Sequence, residues 1–247
     1  MRRATLLLAF SLLLVSTGLA LAQGSGPLQE VRRGGKTYKV YQDPTTYKLQ
    51  AVVPASDDAP WNCQLPPFDQ QPEVFFRVTQ GTRDVMVDFI RLPNPGGKPS
   101  EYLTAIESTN IKPNWHNYQR QDRDLIFGAG ILPIGRSVPF FTTGAKGDCF
   151  AFEGVRLMRF QEQDPNTGQP TGKEEVKPDP EGKVFYNQIW AVARSVKTGS
   201  GSQAAKYEYY YVFWIMAPKA NLDRAETQNE STLDGLRDLF RSIRFLE

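Results

Sequence analysis

The chain is poor in the side chains that most often bind metals or act as nucleophiles. Its 247 residues hold one histidine, His116, and two cysteines, Cys63 and Cys149. A single imidazole excludes an H-E-x-x-H zinc site and any site that needs two. The cysteines form no C-x-x-C, which argues against thioredoxin-like redox chemistry. No G-x-S-x-G supplies a nucleophile elbow, and the Gly-Ser run at 199–202 reads as a loop tip. No G-x-x-x-x-G-K-[ST] is present. Gly128 and Gly130 begin a G-x-G, but Pro133 stands where a dinucleotide fingerprint needs its third glycine. No nucleotide, metal or other cofactor is expected.

Charge of one sign is lacking too. Lys and Arg number 29 against 27 Asp and Glu. Without Arg2 and Arg3, in the apolar N-terminal segment, 27 stand against 27. A neutral chain has no global field to draw it to nucleic acid or to an anionic membrane. Arg32, Arg33 and Lys36 form a local basic run that reads as a solvated tail.

What is present begins at the N-terminus. Arg2 and Arg3 precede the apolar run Leu6 to Val15, and the segment closes on Ala20-Leu21-Ala22. A positive head, a short apolar middle and a small-x-small end predict a signal peptide over 1–22. The protein is therefore expected to be secreted or periplasmic. No second long apolar run follows, so no transmembrane anchor is expected after processing. In an oxidising compartment Cys63 and Cys149 are a candidate disulfide, stabilising by roughly 4 to 5 kcal/mol. Two buried thiols are the alternative.

Residues 23–36 are rich in Gly and charge and predict a flexible leader, followed by a single domain over 37–247. Strands are predicted at 37–42 and 47–53 around the turn Asp43-Pro44-Thr45-Thr46, and at 73–79 and 84–92 around a second turn. Residues 54–72, with five prolines, read as a loop. A helix is predicted over Glu101–Ile111 behind Ser100 as N-cap. Residues 114–124 read as a loop or frayed strand, and 125–134 and 137–143 as short strands. Three long strands follow at 149–161, 184–196 and 207–217, joined by polar connections at 162–183 and 197–206. Ser231 with Asp234 resembles a capping box, and Leu233, Leu236, Phe240 and Ile243 give the last helix an apolar stripe.

The strand 207–217 is apolar on both faces. Tyr207, Tyr209, Tyr211, Phe213 and Ile215 alternate with Tyr210, Val212, Trp214 and Met216. Such a strand belongs at the centre of a covered sheet. With one helix per face, the expected fold class is α+β: an antiparallel meander covered by helices, as an α/β/α sandwich. Tyr38 to Tyr47, Trp61 and Leu236 to Phe245, set in this order of elements, resemble the PsbP-like family. The resemblance covers most of 37–247. It implies that same sandwich and an extracytoplasmic accessory role, and it assigns no site residue.

Several features carry candidate chemistry. The aromatic cluster on two neighbouring strands reads as core packing or as a ligand groove, with Trp190, Tyr209, Tyr211 and Trp214 as candidate lining. Asn187 and Gln188, mid-strand, favour the groove because buried amides need partners. Glu153 interrupts an apolar strand, with Arg156 and Arg159 near it, which suggests a cross-strand ion pair or an edge position. The run Asp164 to Glu175 imitates a calcium loop, but Gly168 and Gln169 occupy the wrong positions and a hairpin loop is expected. Carboxylates adjoin at Asp57-Asp58, Asp122/Asp124 and Glu174-Glu175. These features point to an exported, non-enzymatic binding or accessory protein whose partner is an envelope protein or a small ligand. A secreted carboxylate-dependent hydrolase, with His116 assisting, is the alternative, and a structural envelope component a third reading.

Overall fold

The computed structural model describes residues 26–55, 60–69, 71–121, 138–139, 146–165, 167–198, 205–222 and 227–246. The predicted signal peptide and the strand expected at 125–134 lie outside the described residues. A four-stranded sheet is built from β1 (Leu28–Arg33), β2 (Lys36–Asp43), β3 (Leu49–Val53) and the short β13 (Arg244–Phe245), in that spatial order. The larger sheet holds β4 (Asn62–Gln64), β5 (Val74–Gln80), β6 (Val85–Pro93), β7 (Trp115–Gln121), β8 (Val138–Pro139), β9 (Lys146–Gln163), β10 (Pro170–Pro178), β11 (Val184–Thr198) and β12 (Ala205–Pro218). Its main path runs β10-β9-β11-β12-β6-β5-β4, with β7 and β8 also paired to β9. All pairings are antiparallel. Helix α1 (Pro99–Ile106) continues into a π-helical turn at Glu107–Ile111, and α2 (Thr227–Ser242) precedes β13.

Local chemistry explains most of these elements. Asp43 Oδ1 accepts from the N–H groups of Thr45 (3.0 Å) and Thr46 (2.7 Å), which folds the turn between β2 and β3. At the start of α1 the Glu101 carboxylate accepts from the Lys98 N–H at 3.0 Å, so the N-cap is Lys98 rather than Ser100. The sheet's two faces follow from strand alternation. Tyr211, Phe213 and Ile215 enter one buried cluster, shared with Tyr41, Leu49, Phe76, Leu236 and Phe240. Tyr210 and Val212 enter the other, shared with Leu103, Ile111, Trp115 and Phe152.

The expected α/β/α sandwich does not form. The described residues are 57% strand and 19% helix, in two antiparallel sheets with two short helices. The difference starts inside the expected leader. Leu28 to Arg33 pairs with Lys36 to Tyr41 across Gly34 and Gly35, both at positive φ. Two glycines supply the backbone of a tight hairpin turn that other residues resist. The resulting small sheet, with α2, takes the face assigned to a helix alone. Of 114–124, read as a loop or frayed strand, the strand alternative forms β7, and two segments expected as loops also pair: β10 lies within 162–183 and β4 within 54–72.

The candidate disulfide is absent: Cys63 and Cys149 are not bonded to each other. Cys63 sits on β4 and Cys149 on β9, five strand steps apart. At about 4.8 Å per step that is far beyond the ~7 Å Cα separation a disulfide tolerates. Burial, against the opposing charge of Lys39, pushes the Cys63 thiol up to about 11. Trp61, in the PsbP-like set, docks against Gly235 of α2. A Cβ at Gly235 would lie 2.9 Å from the ring's Cζ2 and 3.1 Å from its Nε1. Asp148, on β9, accepts from the Ser100 N–H of α1, yet burial raises its pKa above the ordinary carboxylate value.

Three outcomes follow from these contacts. Two thiols titrate with a disulfide reagent in the unfolded protein, and a reductant leaves the unfolding midpoint unchanged. Gly235→Ala destabilises by about 1 to 3 kcal/mol in urea unfolding, since the clash with a buried ring outweighs the ~1 kcal/mol gain in helix propensity. Asp148→Asn raises the midpoint at pH 7. A raised folded-state pKa means that ionisation weakens the fold as pH rises through the unfolded value, so the gain disappears near pH 3, below both pKa values.

Candidate functional site

On the side of the large sheet that faces α1, the cover is incomplete. The even-numbered residues of β6, from Met86 to Leu92, and Trp214 and Met216 of β12 share this face. They floor an open groove of about 710 Å³, within the range of small-ligand sites. One wall is Tyr102 and Ile106 of α1 with Asn110, Asn114 and Trp115 beyond it. A second is Gln71, Glu73 and Val74, at the entry to β5. The third is Arg156 to Arg159, where β9 passes the ends of its pairings with β7 and β11 and continues with β10 alone.

The exposure pattern sets this face apart. Phe89, Phe213 and Ile215, on the core side of the same strands, are sealed at 0%. Met86, Ile90, Leu92, Tyr102, Ile106, Trp214 and Met216 are all only partly buried. A contiguous strip of partly buried apolar side chains, rimmed by polar ones, makes this concave face the candidate site.

Polar contacts fix the floor. The Trp214 indole N–H donates to Asn187 Oδ1 at 3.0 Å, and Asn187 is fully buried. Asp88, buried in the floor, accepts from Arg77 Nε at 2.5 Å and Nη2 at 2.8 Å. Arg77 also donates to Gln71 and lies over the Phe68 ring at 4.8 Å. The floor's one carboxylate is thereby neutralised. Burial first, then the Glu73 charge and the Tyr210 phenol, push Tyr102 up to about 12, so its hydroxyl is a neutral donor at physiological pH.

The four aromatics expected to line a groove are not brought together. Trp190, Tyr209 and Tyr211 belong to the core cluster on the opposite face, and Trp214 alone reaches the groove. Alternation along β12 separates them: odd positions face the small sheet and even positions face α1. Tyr211 donates to the Tyr47 carbonyl at 2.6 Å. Tyr209 and Tyr47 sandwich the Arg91 guanidinium at 4.5 and 4.4 Å. Asn187 and Gln188 part the same way: Asn187 holds Trp214, and Gln188 Nε2 lies 3.4 Å from Cys149 Sγ. The signal that marks the floor is in β6, where VMVDFIRLP is apolar on both faces much as β12 is.

The other candidates lie elsewhere. Glu153 is buried and pairs with Lys219 at 2.5 Å rather than with Arg156 or Arg159. Glu174 pairs with Arg159 at 3.3 Å and Glu175 with Lys177 at 2.5 Å. Asp57-Asp58 and Asp122/Asp124 lie outside the described residues. His116 is exposed on β7 and does not line the groove. Asp164 folds a turn between β9 and β10, its carbonyl accepting from the Gly168 N–H at 2.8 Å. Among the described residues no group of three His, Cys, Asp or Glu side chains is placed to hold a metal ion. Among them, too, no helix is long and apolar enough to cross a membrane.

No protein-family model matches the chain, and no curated protein matches its sequence. Among solved structures, the chain is similar to the crystal structure of LpqN, described as involved in cell envelope biogenesis of Mycobacterium tuberculosis, at 11% identity and a TM-score of 0.40, over 89% of this chain and 91% of that one.

Proposed function

We propose that the chain is an exported, non-enzymatic accessory protein of the cell envelope or extracellular space that holds a small apolar or amphipathic ligand against β6 and β12. The partly buried apolar strip around Trp214, Met216 and Ile90 carries this reading. The N-terminal positive, apolar and small-residue pattern supports export. The groove's described carboxylates are Asp88, locked by Arg77, and Glu73 on the rim. Binding by apolar contact is the chemistry that such a lining supports.

The test uses alkyl maltosides of eight, ten and twelve carbons, kept below their micelle concentrations. Saturable binding changes tryptophan emission, and affinity rises by about two- to fourfold per added methylene. Trp214→Phe reduces the emission change to what Trp115 on the wall reports, while preserving binding. Ile90→Asp weakens the twelve-carbon ligand at least about tenfold, by placing a charge on the apolar floor. The absence of saturable binding overturns the proposal. So does turnover of ester, glycoside or peptide substrates that one substitution abolishes.

A further inference from the structure

We infer that the groove has an electrical direction and takes a single-chain amphiphile with an anionic head, the head held at Arg156 and the tail running toward Leu92 and Tyr102. The inference rests on the groove being a ligand site and adds what kind of ligand it takes.

Strand register gives the direction. Met216 pairs with both Met86 and Asn187, and beyond Asn187 β11 leads back to Val184, which pairs with Val155. Arg156 therefore lies toward the Met86 and Met216 end of the floor. At the other end Leu92 pairs with Tyr210, whose ring lies 5.0 Å from that of Tyr102. Val74 pairs with Ile90, and the Glu73 carbonyl accepts from the Arg91 N–H at 3.1 Å, which places Glu73 at this second end.

The two ends carry opposite charges. Arg156 is exposed and has no ion-pair partner among the described residues. Arg159, beside it on the same wall, is already paired with Glu174. Glu73 is likewise exposed and has no ion-pair partner among the described residues. Asp88, between them, is cancelled by Arg77. An anionic head is drawn to the Arg156 end and repelled from the Glu73 end, so the charges select both the head and its orientation.

The floor matches the tail in shape. It is two strands wide, about 5 Å between backbones, and from Met86 to Leu92 it runs roughly 20 Å. That is a track for one extended hydrocarbon chain. Met86, Met216 and Trp214 supply soft and aromatic contact surface along it.

Twelve-carbon probes with different heads test the proposal: dodecanoate, dodecyl maltoside and dodecyltrimethylammonium, each below its micelle concentration, titrated into the full chain at low salt. Dodecanoate is expected to bind about five- to tenfold more tightly than the cation, with the maltoside between, and the spread to shrink in 0.5 M salt. Arg156→Glu abolishes or reverses the order, Arg156→Gln flattens it, and Arg32→Glu, on β1 of the other sheet, leaves it intact. Equal affinity for all three heads, or a preference that survives Arg156→Glu, overturns the inference while the groove stands as an apolar site. If no head gives saturable binding, the groove itself fails as a site. Sedimentation with phosphatidylglycerol vesicles without uptake of monomeric dodecanoate overturns the occupant and makes this face a membrane-docking surface.

Discussion

The fold depends on covering one strand from both sides. β12 is apolar on odd and even positions alike, so water must be excluded above and below it. Every residue of β11 from Phe185 to Thr198 pairs with one of β12, and β6 closes the other flank. The backbone of β12 is thereby satisfied laterally, and its stability comes down to what lies on its faces. On the odd face the small sheet and α2 together cover β12 from Tyr211 to Ala217. Tyr41, Leu49 and Phe240 reach exposures of 1% or less there. On the even face the helical cover is α1 with its π-helical continuation to Ile111, together roughly 18 to 20 Å long. β12 runs for fourteen residues, roughly 46 Å. A lid that short protects Tyr210 and Val212 and leaves Trp214 and Met216 only partly covered.

An apolar strip left bare usually collapses onto a neighbour or recruits a side chain to cover it. Here its lining is held in place. Trp214 is tied through its indole N–H to the fully buried Asn187, a residue with no freedom to follow the ring elsewhere. Asp88 is gripped at both oxygens by Arg77, which is itself backed by Phe68 and Gln71. The floor is thus organised before any ligand arrives, and a ligand need not spend binding free energy on ordering it.

Much of the sheet was legible in the sequence. The long alternating runs that became β9, β11 and β12, and the double-faced apolarity of β12, followed from period-two patterning. The helix behind Lys98 was legible from its apolar spacing, though its cap was placed at Ser100. Two kinds of element escaped. β10 has the composition of a solvated loop, since every residue from Pro170 to Pro178 is exposed and the strand exists through pairing with β9 alone. β1 was hidden by its charge and by Gly34-Gly35, a glycine pair that marks a hairpin as readily as it marks a flexible leader. Pairing is a long-range fact in both cases. Reading β1 as a leader left β2 and β3, expected as a hairpin, without the edge strand that helps make them a separate sheet. The disulfide failed for the same reason: two cysteines in one chain say nothing about how many strands will lie between them.

The groove was less legible than the sheet, and the cause lies in how it is assembled. Its floor comes from β6 and β12, more than a hundred residues apart in sequence. Its walls come from 71–74, 102–115 and 156–159, three segments that meet only because β9 overshoots β11 and because α1 returns across the sheet. Tyrosine density drew attention to the odd face of β12, which is the sealed one. The informative feature was a mismatch: two adjacent strands, β6 and β12, each apolar on both faces, and one short helix to cover the even side. Counting apolar faces against the elements that can bury them leaves a remainder there. The same reckoning finds no remainder on the odd face, where a second sheet and α2 meet the demand. A surplus of apolar strand surface, with Arg156 and Glu73 at opposite ends and without ion-pair partners among the described residues, is thus the physical origin of the groove.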